Sequence, residues 1–386
     1  MAGSFRSRTT SIVRRRLANS RQLAGDSHLR LESRLADLHG RAEARLVANA
    51  TTGIYLALRA AGISGRPVGV PNNVCFNVPL AVLLSGNRPV YLDIEEATLG
   101  LAPGSVTETR EPLAALIAVH AYGCMCAIES IAQRCRELGV LLIEDLACAQ
   151  GANRNGRTAG GFGDVSVMSF GRGKIIDVGG GGAVLTDDRV LLDEMIALDE
   201  QLPVAAAVDQ QAADELSNWH TDLYNTTYPS GLNAHAPQFR QRALAAGRGF
   251  VHRSSSDWAD EVSRAIDRLP DNVAGRAARA EFLFSRFDDA PSVACWRPSD
   301  GAVYWRFNLL VRAGRDRMLR HLLAEGYKAS SWYPSVDLFF ESRHVSPVKT
   351  PVSDAIGDSI LNIWLNDEVD SAYLTNISTA ILAYAC

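Results

Sequence analysis

The sequence predicts an α/β fold: a large domain over residues 26–245 built on a mostly parallel, doubly wound sheet, a smaller α+β domain over 246–386, and a basic arm at 1–25. Three observations carry this. Short apolar runs alternate with helix-length segments from about residue 30 to 190, the pattern of buried parallel strands covered by helices. The pattern changes beyond about residue 290. And 386 residues, 47% of them hydrophobic, suffice for about two domains with substantial cores.

The elements follow in order. Residues 51–62 read as a helix that stops at Gly62. Strands are expected over 67–71, 88–93, 115–120, 141–145, 164–170 and 182–186, with helices over 74–84, interrupted by Pro79, and around 127–138. Residues 200–235 are polar and carry Pro203, Pro229 and Gly231, so they are expected to be irregular. Helical character returns over 236–275. The second domain is expected to hold a strand over 303–311, a helix over 315–325 closed by Gly326, and a last helix over 367–385. Internal repeats are absent from the sequence.

Composition excludes several function classes. A net charge of −4 and a pI near 6.1 give no global attraction to nucleic acid or anionic membrane, and no apolar run is long enough to span a bilayer. The start is basic, with Arg6, Arg8, Arg14, Arg15, Arg16 and Arg21 before the first acid at Asp26, and it lacks the apolar core of a secretory signal. Seven irregularly spaced cysteines fit reduced thiols in a cytoplasmic enzyme better than a disulfide framework. Cys124 and Cys126 lack a second pair at zinc spacing, so no metal site is expected.

The chemistry centres on Lys174. It lies just before the glycines 179–182, and 29 residues after Asp145, which ends the apolar run 141–145. An amine beside flexible backbone and a carboxylate at a strand end suit pyridoxal 5'-phosphate (PLP): the amine forms an imine with the cofactor aldehyde, and the carboxylate keeps the pyridine nitrogen protonated. Desolvation is expected to lower the pKa of the freed amine. Ala50 and Thr51 open a helix where a phosphate would sit, although Thr51 alone reads equally as a helix cap. Ser169 ends the strand before the lysine, as a phosphate contact or as a plain turn residue.

These stretches together resemble the DegT/StrS type of sugar aminotransferases, fold-type I PLP enzymes. The resemblance runs from about residue 30 to the C-terminus. It rests on the block from Val70-Pro71 to Asp93, on His120-Ala121-Tyr122-Gly123, on Ile143-Glu144-Asp145 through Gly151-Ala152, on Gly163-Asp164 through Ser169-Phe170 to Lys174 and the glycines, on Gly231-Leu232-Asn233, and on Ile360 to Leu365. It implies that Lys174 carries the cofactor and shuttles protons, that Asp145 pairs with the ring nitrogen, and that Ala50, Thr51 and Ser169 hold the phosphate. Asn233 is implied to reach the neighbouring subunit's cofactor, hence a homodimer with shared sites. Cys75 stands where the family often stacks an aromatic ring on the cofactor, and Cys148 where it often has Gln; a histidine, His235, takes the place of an arginine. Gln150 and Tyr333 are candidates for substrate contact, with Trp332-Tyr333-Pro334 at the mouth or in the core. The implied reaction moves an amine from glutamate or glutamine to a keto-sugar or keto-cyclitol in aminosugar or natural-product biosynthesis. The alternatives are a PLP-dependent sugar dehydratase, in which histidine replaces the lysine, and a non-catalytic regulator that keeps the fold.

Overall fold

The computed structural model describes residues 26–226, 229–254, 258–288, 290–291, 293–311, 313–340 and 349–385. The basic arm at 1–25 lies outside them. The chain builds two main sheets. The first contains β1 (Glu43–Val47), β2 (Pro67–Pro71), β3 (Arg88–Leu92), β4 (Ala115–Val119), β5 (Leu141–Asp145), β8 (Val165–Ser169) and β9 (Gly182–Thr186); a small hairpin, β6 (Asn153–Arg154) with β7 (Arg157–Thr158), stands apart. The spatial order is β1-β9-β8-β5-β4-β2-β3. β2, β3, β4, β5 and β8 pair in parallel, and β9 runs antiparallel to both its neighbours. All five residues of β2, β4 and β9 are buried, as expected for strands covered on both faces.

Parallel strands put their carboxyl ends on one edge, where α/β sheets bind ligands. Asp145 and Ser169 end β5 and β8 there. The antiparallel β9 starts at that edge with Gly182, where a Cβ would come within 2.6 Å of the Met168 carbonyl oxygen and 2.9 Å of the Asn49 carbonyl carbon. Glycine therefore lets β9 pass beside the head of the helix that follows β1. Among the helices, α1 covers residues 26–39, α2 is Ala50–Ala60, α3 is Asn77–Leu84, α4 is Ile128–Leu138, α5 is Arg189–Gln201 and α6 is Ala207–Thr226.

Two expectations are corrected. The stretch expected to be irregular over 200–235 contains the 20-residue α6. Its surface charge hides a buried stripe of Ala213, Leu216, His220 and Leu223, spaced 3, 4 and 3 apart, which is one helix face. The helix expected from residue 74 begins at Asn77, because Asn72 and Asn73 are used at the end of β2: the Asn72 side chain donates to Asp337 at 3.0 Å and to Thr350 at 2.8 Å.

The second sheet has the order β10-β11-β13-β12, all antiparallel, from β10 (Val293–Cys295), β11 (Arg306–Val311), β12 (Ala329–Ser330) and β13 (Ile360–Trp364). It has its own core, in which Phe307, Leu309, Leu361 and Ile363 pack against the helices Leu269–Phe287 and Ser371–Ala385. The expected strand at 303–311 starts later, at Arg306, since Tyr304 sits at φ 38° and breaks the extended run. The Asn72 contacts hold the segment after β12 over the edge of the first sheet, and that segment carries Trp332 and Tyr333. No helix among the described residues is long and apolar enough to cross a membrane.

Candidate active site

A cavity of about 660 Å³ opens at the carboxyl edge of the first sheet. Ala50, Thr51, Cys75, Asp145, Ser169, Lys174 and Tyr333 all line it, so the structure brings together seven of the residues singled out in the sequence. The head of α2 is shaped by Asn49, whose side-chain oxygen accepts from the Thr52 N–H at 2.8 Å. That cap serves one of the free N–H groups of the first turn and leaves others, with the positive end of the helix, facing the cavity. Ser169 ends β8 at the same edge and is half-buried.

Asp145 is 4% exposed. It accepts one backbone hydrogen bond, from Ala147 N at 2.9 Å. Burial pushes its carboxyl pKa up; the Ala147 N–H, Lys174 and His120 pull it back only in part, and it lies above the ordinary carboxylate value. Lys174 Nζ donates to Cys148 Sγ at 3.5 Å and sits 5.6 Å from the centre of the Trp305 ring. Burial works against its charge, in the direction expected from the sequence. The Cys148 and Cys75 sulfurs and the Asp145 carboxylate outweigh it, and its pKa lies above the ordinary lysine value. Burial in turn pushes both thiol pKa values up, and Lys174 pulls them back in part.

The neighbouring carboxylate on β5 behaves differently. Glu144 points to the opposite face and is fully buried. It receives the His120 ring at 2.8 Å, the N–H groups of Gly160, Phe162 and Gly163 at 2.6, 2.8 and 2.9 Å, and the Ser166 hydroxyl at 3.3 Å. Burial opposes its charge, but these donors win and hold its pKa down to about 2. His120 Nε2 faces Glu144 at 2.8 Å, and Cys126 N lies 3.3 Å from His120 Nδ1 on the other side of the ring.

Three candidates lie off the cavity lining: Cys148, Gln150 and Asn233. Gln150 is fully buried and braces the lysine loop: its amide donates to Ser169 O at 2.6 Å and accepts from Ile176 N at 3.0 Å. Asn233, in the short helical turn Asn233–His235, is half-buried outside the cavity lining of its own chain. Tyr333 does line the cavity, with Trp305 and Trp332. Its ring is within 7° of parallel to Trp305 and 10° of parallel to Trp332. The facing wall comes from α6, through Gln210, Ser217, His220 and Thr221. Burial pushes the His220 pKa down to about 3, so that wall is neutral at physiological pH. The sequence offered no sign of this wall, because residues far from any motif supply it.

The donor set fits PLP. The head of α2 and the Ser169 hydroxyl suit its phosphate. Asp145, buried and short of donors, suits a protonated ring nitrogen, and Lys174 suits the aldehyde. Fold and site thus define an α/β protein whose lysine-lined cavity suits PLP. The chain belongs to the DegT/DnrJ/EryC1/StrS aminotransferase family, whose model matches residues 5–382. It is 35% identical over 178 residues to the GDP-perosamine synthase of Vibrio cholerae, covering 46% of this chain and 48% of that protein. The match thus spans about half the length of that relative. It is 32% identical over 363 residues to the dTDP-3-amino-3,4,6-trideoxy-alpha-D-glucose transaminase of Micromonospora megalomicea subsp. nigra, covering 91% of this chain and 87% of that one. A DegT DnrJ EryC1 StrS aminotransferase structure from Brucella abortus superposes with a TM-score of 0.72 at 21% identity over 99% and 98% of the two chains, which shows the shared fold.

Proposed function

We propose that this chain is a PLP-dependent aminotransferase that moves an amino group from glutamate or glutamine to the ring ketone of a sugar or cyclitol. The observation that carries this is the pairing on one cavity wall of a lysine amine and a buried, under-solvated carboxylate. Relatives named for aminated sugar nucleotides support the acceptor class. When bound, PLP supplies an electron sink that stabilises negative charge on the carbon losing its proton.

The chain's own residues do the rest. Asp145 keeps a positive charge on the ring nitrogen in a site where water cannot screen the pair. The head of α2 and Ser169 would hold the phosphate. With the cofactor bound, Lys174 Nζ would be the group that takes up and returns a proton on the substrate side of the cavity, for donor and acceptor alike. Trp305, Trp332 and Tyr333 exclude water and offer an apolar face to the C–H side of a ring, while the α6 side chains offer polar partners to its hydroxyls. In this reading two copies form a homodimer, and Asn233, outside the lining of its own cavity, reaches the phosphate held by the other copy.

Borohydride reduction followed by peptide mapping should place the pyridoxyl label on Lys174, and glutamate or glutamine should bleach the yellow absorption. No label there, with turnover intact, would overturn the assignment. Mixing Lys174→Ala with Asn233→Ala subunits should restore part of the activity that each lacks alone; a mixture as inactive as its components would exclude shared sites.

A further inference from the structure

The lysine loop is gripped on both sides of Lys174 by side chains from outside the first sheet. The Trp305 indole N–H donates to the Gly173 carbonyl oxygen at 2.7 Å. The Asn272 side-chain amide donates to the Ile175 carbonyl oxygen at 2.9 Å. These are the carbonyls directly before and after the lysine. Gly173 has φ +77°, a left-handed conformation that glycine adopts without strain, and it turns its carbonyl toward the indole.

The grips are themselves held. Arg276 donates to Asn272 Oδ1 at 2.6 Å through Nε and to the Trp305 carbonyl at 3.1 Å through a terminal nitrogen. Arg306 donates to the same carbonyl at 3.0 Å. Trp305 is 2% exposed, and its ring is stacked within 18° of parallel on Trp332 and 7° on Tyr333. A stiff aromatic layer next to the second sheet is thereby tied to the backbone that carries the reactive amine.

We propose that Trp305 is a positioning residue: its indole N–H holds the Gly173 carbonyl so that Lys174 Nζ stays within the cavity, beside Cys148 and in reach of the carbon atoms between which it moves protons. The inference rests on the aminotransferase reading only for its kinetic arm. A single hydrogen bond is worth about 1 kcal/mol, or about fivefold in an equilibrium. Displacing a catalytic group by about 1 Å costs up to about 100-fold in rate.

The test is Trp305→Phe, which keeps an aromatic ring against Trp332 and Tyr333 and deletes the N–H. In the full-length protein before PLP is added, acylation of Lys174 by acetic anhydride, read by peptide mass spectrometry across pH, should become about tenfold faster as the amine gains access to solvent. In the PLP-loaded enzyme, kcat should fall about tenfold in both half-reactions, with either substrate's KM changed less than about twofold. An acceptor-wall role alone would instead raise the acceptor KM. Asn272→Ala, which releases the other carbonyl, should move labelling and kcat the same way by about threefold, and it replaces the first variant should that fail to fold. Unchanged Lys174 labelling and unchanged kcat, with or without lower thermal stability, would overturn the proposal. If the wild type makes no half-reaction, the function proposed above fails while the labelling arm still decides this inference.

Discussion

Glu144 and Asp145 are adjacent on β5, both carboxylates and both buried, yet they sit in opposite regimes. Strand geometry sends consecutive side chains to opposite faces. Glu144 enters a closed nest of donors behind the sheet and is held ionised. Asp145 enters the cavity, receives one backbone N–H and is pushed toward neutrality. A carboxylate whose partners the protein supplies is part of the scaffold. One whose partners are withheld is prepared for a ligand, and the stability it costs is the mark of function.

The comparison can be broken in four ways. Lys174→Ala removes the covalent anchor and the proton carrier together, and steady-state assays should show a loss of at least about 10⁴-fold in kcat. Asp145→Asn should lower kcat by about 10²–10³-fold, the usual scale for losing one preorganised electrostatic partner. Because ionised Asp145 costs folding energy, that variant should unfold at the same or higher denaturant concentration than the wild type. A large stability loss would place Asp145 with the scaffold.

Glu144→Gln should do the reverse. It faces one of the backbone N–H groups with another donor and weakens the His120 contact, which costs about 3 kcal/mol in denaturant titrations while kcat stays within about threefold. The pH dependence sharpens this. A carboxylate whose pKa falls from 4.5 to about 2 on folding adds stability that is fully present above pH 4.5 and drains away as pH drops toward 2. The wild type should therefore lose stability steeply over that window, and Glu144→Gln should flatten part of the slope. Asp145 has the opposite sign: its raised pKa favours the folded state as acid protonates it. The smallest effect is expected from Asn49→Ala, which removes the α2 cap and should cost about 1 kcal/mol, with a modest rise in the PLP concentration needed for saturation.

Much of this was legible before any coordinates. The parallel strands of the first sheet are continuous apolar runs, and such runs have few other stable fates in a chain of this size. Lys174, Asp145, Ser169 and the Ala50–Thr51 corner were found because each sits at the end of a strand or the head of a helix, and the carboxyl edge of a parallel sheet collects those ends. Helix α6 was missed because its buried stripe is only four residues in a polar stretch, and its prolines lie outside the helical turns they were expected to break.

The sequence by itself determined the α/β alternation and pointed to an amine and an acid that line one cavity, since these follow from local periodicity and from residue types at element ends. Tertiary structure alone decided that Gln150 braces the loop instead of facing the cavity, that α6 supplies a neutral wall, and that Trp305 and Asn272 take hold of the carbonyls on either side of Lys174. Those contacts join residues 19 to 132 positions apart, and the direction of a hydrogen bond across such a distance is set by packing rather than by any pattern along the chain.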